Sequence, residues 1–152
     1  MRGVEYDERL SVPLRWWVQG TIAVACLWLA VLVALPTAAV WAVTGTAAVV
    51  VGVGLWSYGA ARVQVVDGEL HAGPAHIGVG HLGAATALDA EAARRLAGPD
   101  ADARAYLLLR PYLKRAVKVE ITDPADPAPY WLLCTRNPEE LARAVAALNQ
   151  VA

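Results

Sequence analysis

The chain has 152 residues, 57% of them hydrophobic, and a formal net charge of −1. That length is too short for a large transporter and that apolar content is too high for a purely soluble domain, which leaves room for two membrane helices and one small domain. A charge balance near zero also argues against nucleic acid as a partner, because proteins that neutralise phosphates carry a basic excess.

Residues 1–15 carry three acidic and three basic side chains and form a cytosolic N-terminal segment. From Trp16 to Ala61 there follow 46 residues without Asp, Glu, Lys, Arg or His. One helix crosses a hydrocarbon core of roughly 30 Å with about 20 residues, so this stretch fits two crossings. The spacing predicts a transmembrane helical hairpin over 16–61, with spans at about 16–35 and 38–60 and Pro36 at the apex, where the missing backbone donor breaks the helix. A re-entrant pair that does not fully cross is the alternative. A cleaved signal peptide fits poorly, since a second apolar segment follows the first instead of a polar mature chain.

Two passes return the chain to the side on which it started. Arg2, Arg9, Arg15 and Arg62 flank the open end of the hairpin and the apex is uncharged, so both termini are expected in the cytoplasm of a cell whose inner membrane holds the protein. Trp16, Trp17, Trp56 and Tyr58 suit an interfacial aromatic belt. Gly45, Gly52 and Gly59 recur every seven residues, and Thr44, Ala48 and Gly52 every four. Such small residues let helix backbones approach, so Gly45, Ala48, Gly52 and Gly59 are candidates for packing within the hairpin or against a second copy. With no ionisable group in the spans, there is no proton relay or ion path to propose.

Residues 62–152 read as a β-rich cytosolic domain. Arg62–Val66 and Glu69–Ala72 flank Asp67-Gly68, a pair that supplies the positive φ values of a tight hairpin turn. Further strands are expected at 76–79, 83–88, 106–109, 116–122 and 130–135. Asp89 is placed to cap a helix from Ala90 to Leu96 that stops at Gly98-Pro99. Asn137, Pro138, Glu139 and Glu140 mark the start of a C-terminal helix over 138–151, with Leu141, Val145 and Leu148 on its buried face. The fold class is therefore α+β: a two-helix transmembrane hairpin followed by a small antiparallel β domain, either a pleckstrin-homology-like barrel or an open sheet, closed by a C-terminal helix. Cys26 and Cys134 lie in different regions and are expected as free thiols.

Several segments together resemble a known family: Tyr6-Asp7-Glu8-Arg9-Leu10, Asp67-Gly68-Glu69-Leu70, Arg110-Pro111-Tyr112, the stretch from Thr122 to Pro127, Pro129-Tyr130-Trp131-Leu132 and Thr135-Arg136-Asn137-Pro138. Their order is similar to that in the actinobacterial two-helix membrane proteins of domain-of-unknown-function family 3093. The resemblance implies an integral membrane protein and carries over no active site.

Chemistry-bearing clusters are sparse. His71, His76 and His81 stand five apart without accompanying Cys, Asp or Glu in a metal-ligand spacing, and read as surface or strand histidines. Asp89 and Glu91 near Arg94 and Arg95 read as helix-end charges. Neither a nucleophile motif nor a phosphate-binding loop is present, and no cofactor is implied. The most informative polar stretch runs from Arg104 to Lys118. Arg104, Arg110, Lys114, Arg115 and Lys118 occur there with no acid among them, and Tyr112 lies between. Under an anionic inner leaflet each basic side chain is worth about 1 kcal/mol. The same lysines also suit a strand edge, where they discourage pairing. The loop Asp123–Pro129 has three prolines and reads as a shaped connection or a stiff docking loop. The expected function is a non-enzymatic, membrane-anchored module that binds a protein partner, itself or lipid headgroups. A membrane-bound hydrolase or nucleotide-handling enzyme, with its site at the junction of domain and membrane, is the alternative.

Overall fold

A computed structural model of the chain describes residues 6–151. The chain divides into a helical unit, Ser11–Ala60, and a β-rich unit made of the residues up to Leu10 together with those from Ala61 onward.

The helical unit is an antiparallel pair, α1 (Leu14–Leu32) and α2 (Thr37–Tyr58), joined by a turn through Pro36. Pro13 and Pro36 hold extended backbone immediately before the two helices, where a proline costs no helical hydrogen bond. The helix ends fall one to three residues from the expected spans. Close packing comes from Gly20, whose absent Cβ would meet Val51 Cγ1 at 2.9 Å. Trp16 stacks on Tyr58 with centroids 6.2 Å apart, and Trp28 meets Trp41 at 6.5 Å. No residue of α1 and only Val40 of α2 is buried. Both helices are long and apolar enough to cross a membrane.

Among the described residues, the β-rich unit contains eight strands in two sheets. The first has the order β1 (Tyr6–Arg9), β2 (Arg62–Val66), β3 (Glu69–Ala72), β4 (Ala75–Gly78), all antiparallel. The β2–β3 turn carries positive φ at both Asp67 and Gly68, as the right-handed twist of a two-residue hairpin requires. A 3-10 turn at Val79–His81 leads to the second sheet, whose order is β5 (Leu82–Leu88), β7 (Ala116–Ile121), β8 (Tyr130–Cys134), β6 (Tyr106–Leu108). Helix α3 (Ala90–Ala97) follows β5, and α4 (Pro138–Val151) ends the described chain.

Two expectations need correction. The sheets are separate and do not close into a barrel, so the open-sheet form holds. The fold is also not wholly antiparallel: β6 pairs in parallel with β8. Both β6 and β8 run against β7, and once β8 has paired with β7, β6 lies along the far side of β8 in the same direction.

Strand β8 is buried along its whole length because both of its faces are covered. Trp131 and Leu133, with Val117 and Val119 of β7, face the main core, which also takes Tyr6, Leu10, Val63, Val65 and Leu70 and is covered by Leu141, Val145 and Leu148 of α4. Tyr130, Leu132 and Cys134 face a second cluster beneath Ala93 and Leu96 of α3. A strand covered on both faces reads as a continuous apolar run, here Tyr-Trp-Leu-Leu-Cys. Helix α3 starts as expected, with the Asp89 carboxylate accepting the Ala92 N–H at 2.8 Å.

Candidate functional site

The two strands that flank the helical unit are neighbours. Tyr6–Arg9 runs antiparallel to Arg62–Val66, and the Leu10 N–H donates to the Ala61 carbonyl at 2.9 Å. The backbone just before the first helix and the backbone just after the second therefore meet in one ladder, here termed the hairpin root. No strand is predicted over Tyr6–Arg9 from sequence. The available signal was the alternation of Tyr6, Glu8 and Leu10, which the structure turns inward while Asp7 and Arg9 face out.

Glu8 is the unusual member of that inward row. Only 9% exposed, it projects towards the junction of β8 and α4. Its Oε2 accepts the Tyr6 hydroxyl at 2.5 Å and also the Thr135 hydroxyl. Its Oε1 accepts the Arg136 N–H at 3.0 Å and the Arg136 guanidinium at 3.5 Å. Thr135 Oγ1 in turn accepts the Asn137 N–H at 3.0 Å, just before α4. A buried carboxylate is tolerated only when its oxygens are satisfied in this way. Burial, reinforced by the Glu8 hydrogen bond, pushes the Tyr6 hydroxyl well above the ordinary tyrosine range.

The basic segment resolves into separate environments. Arg104 forks onto Asp102, at 3.2 Å for the ion pair, and the Arg104 side chain and N–H hold the Asp102 carboxyl below the usual carboxylate range. Arg115 pairs with Glu139 at 3.8 Å and donates to the Arg136 carbonyl. Lys118 pairs with Glu120 at 3.7 Å and lies 5.0 Å from the centre of the Tyr130 ring. Arg110 donates to the Leu109 carbonyl at 3.0 Å. Lys114 is exposed and has no ion-pair partner among the described residues. Tyr112 provides the link: its hydroxyl donates to the Leu10 carbonyl at 2.6 Å, tying the loop between β6 and β7 to the hairpin root. Arg136 joins the same place, donating to the Arg9 carbonyl at 3.2 Å.

In the helical unit, Gly45 and Gly52 have open space where a Cβ would point, whereas Gly59 abuts the Val12 backbone at 2.9 Å. Ala48 and Gly52 line a groove of about 430 Å³ between the helices, together with Gly20, Thr21, Trp28 and Trp41. Trp28 Nε1 and Thr44 Oγ1 are sealed in this unit without a hydrogen-bond partner among the described residues. Of the histidines, His71 and His76 stack across β3 and β4 with centroids 5.6 Å apart, and His71 Nε2 lies 3.3 Å from Glu69. His81 is separate and offers its carbonyl to the Thr122 N–H. Among the described residues no three His, Cys, Asp or Glu side chains converge as a metal-ligand set. The proline loop closes on itself, with Asp123 and Asp126 accepting the Ala125 and Ala128 N–H groups at 2.8 Å, so its acids shape the connection. Cys134 is buried, which raises its thiol pKa, and both cysteines are free.

Neither the curated proteins nor the solved structures searched contain a match to this chain. The family model described as protein of unknown function (DUF3093) matches residues 5–145, from the strand before the first helix to the middle of α4. The chain belongs to the DUF3093 family.

Proposed function

We propose that this protein is a membrane-anchored binding module: α1 and α2 cross the bilayer as a hairpin, both termini lie in the cytoplasm, and the β-rich unit binds anionic headgroups through the basic side chains around the hairpin root. At 1.5 Å per residue the 19 residues of α1 and 22 of α2 reach about 28 and 33 Å, close to the roughly 30 Å of a hydrocarbon core. Arg9, Arg15 and Arg62 flank the open end of the hairpin, on the side that the positive-inside rule assigns to the cytoplasm.

The observation that carries the reading is the 2.6 Å hydrogen bond from Tyr112 to the Leu10 carbonyl. Three residues, Ser11 to Pro13, separate Leu10 from α1, and two, Gly59 and Ala60, separate α2 from Ala61. A chain reaches at most about 3.6 Å per residue, so backbone this close to two membrane helices stays near the bilayer surface. The Tyr112 bond brings the Arg110–Arg115 loop to the same end as Arg9, Arg62 and Arg136. Each basic group near an anionic surface contributes about 1 kcal/mol, and the effect decays within a Debye length.

The test is hydrogen exchange of residues 109–115 in the full chain, reconstituted in nanodiscs of phosphatidylcholine alone or mixed with phosphatidylserine. Slower exchange with phosphatidylserine is expected, with the difference removed by about 1 M salt, where screening shortens to roughly 3 Å, and reduced in Lys114→Gln. Equal exchange in both lipids overturns headgroup binding. A reporter fused after α4 that is active only outside the cytoplasm overturns the orientation.

A further inference from the structure

The first sheet carries a polar cluster on the face turned away from the core. Leu70, Ala72 and Ile77 are buried, so Glu69, His71 and His76 project outward. Strands β3 and β4 are joined by the two-residue turn Gly73-Pro74, with Gly73 at φ 63°, the first central position that a II′ hairpin gives to glycine. Such a turn makes Ala72 and Ala75 a hydrogen-bonded pair, so the next pair, His71 and His76, is the closer, non-hydrogen-bonded kind. Their rings face each other with centroids 5.6 Å apart and planes 22° from parallel. The Glu69 carboxylate lies one step along the same face, its Oε2 3.3 Å from His71 Nε2. On its other side His71 opposes Gln64, and beyond Gln64 stands Asp7, which Arg62 engages at 4.0 Å.

We propose that Glu69, His71 and His76 form an exchangeable site for a divalent transition metal of the zinc class, with water completing the coordination. Imidazole nitrogens and a carboxylate oxygen are zinc donors, and three of them with one water make a four-coordinate set. Bonds of about 2.0–2.1 Å set two donors on a tetrahedral ion roughly 3.3 Å apart, the separation that His71 Nε2 and Glu69 Oε2 already have. The three side chains do not converge on one point as they stand. His76 is exposed and its ring turns about a broad χ2 torsion, so the ion draws in the last donor at some cost in affinity. β4 is the four-residue outer strand of its sheet, and an ion shared by His76, His71 and Glu69 clamps it to β3. The five-residue spacing of the histidines hides this pair, because the register of the hairpin and not the spacing sets the rings opposite each other.

The experiment titrates Zn²⁺ by calorimetry into the untagged full chain in phosphatidylcholine nanodiscs, with the heat of empty nanodiscs subtracted. A single bound ion for each chain is expected. His71→Ala and His76→Ala should each weaken binding by at least about tenfold and Glu69→Gln by about threefold, with circular dichroism unchanged because all three side chains face outward. His81→Ala, at the separate histidine, should leave binding as it was. Zinc should also raise the thermal unfolding midpoint of the native chain and not that of His76→Ala, since only the folded hairpin assembles the donors. Absence of binding overturns the proposal. So does binding that survives the loss of either paired histidine or falls equally in His81→Ala, which would mark the ion as adventitious, and so does a midpoint that zinc raises equally in His76→Ala. Because phosphatidylcholine carries no net charge, these outcomes are independent of headgroup recognition.

Discussion

Glu8 Oε1 accepts the backbone N–H of Arg136 at 3.0 Å, which joins the strand before the first membrane-length helix to the turn before the last helix, 128 residues later. The same carboxylate takes the Tyr6 and Thr135 hydroxyls, so removing it orphans several donors at once. Glu8→Ala is expected to cost about 1–3 kcal/mol, the range for leaving buried donors unsatisfied, since the Arg136 side chain itself reaches solvent. Urea-dependent labelling of the buried Cys134 thiol in a Cys26→Ala background measures it. A loss under about 1 kcal/mol would show that the carboxylate is dispensable.

Tyr6 makes the unit sensitive to alkali. Its folded pKa is raised by burial and by the Glu8 hydrogen bond, so the stability it confers is fully present below the ordinary tyrosine value near 10 and is lost as pH rises above it. Stability of the native chain should fall above about pH 10, and Tyr6→Phe, at a cost of about 1–2 kcal/mol at neutral pH, should flatten that limb. Denaturation midpoints on either side of pH 10 decide the matter. An equally steep alkaline loss in Tyr6→Phe would assign it to another group.

The Leu10 to Ala61 hydrogen bond predicts that the helical unit can be excised. Joining Leu10 to Ala61 through Asn-Gly converts β1 and β2 into an ordinary tight hairpin and should yield a folded soluble domain. Residues 62–152 alone lose Tyr6 and Leu10, each worth about 1.5–3 kcal/mol of buried surface, as well as the Glu8 contacts, and should not unfold cooperatively. Circular dichroism melts of the two proteins compare them directly. Cooperative folding of the shorter one would demote β1 to an accessory strand.

In the helical unit, Gly20→Leu must force its side chain into Val51 and Leu55 and should destabilise the pair by about 1–3 kcal/mol, whereas Gly45→Ala meets open space and should be neutral or slightly stabilising. Thr44→Val removes a sealed hydroxyl that has no partner among the described residues, and should stabilise by about 1 kcal/mol. Thermal unfolding in one detergent ranks the three. A destabilised Thr44→Val would reveal a partner for the hydroxyl outside the chain.

Much of the local structure was legible because it rests on near-neighbour chemistry. The charge-free stretch from Trp16 to Ala61 determined two long apolar helices, Asp67-Gly68 its tight turn, Asp89 its cap, and the spacing of Leu141, Val145 and Leu148 the buried face of α4. The sequence placed the basic residues but not their partners: Glu139 neutralises Arg115 from 24 positions away, and the link from Tyr112 to Leu10 spans 102. The remaining features were decided by long-range pairing. Tyr6–Arg9 is a strand only because β2 returns beside it after 50 residues of helical unit, and Glu8 can be buried only because Thr135 and Arg136 arrive to satisfy it. The parallel β6 likewise follows from the order in which strands join a sheet. Local propensity and spacing carry no record of that order, since a strand's side-chain pattern states which face it buries and not which neighbour it takes.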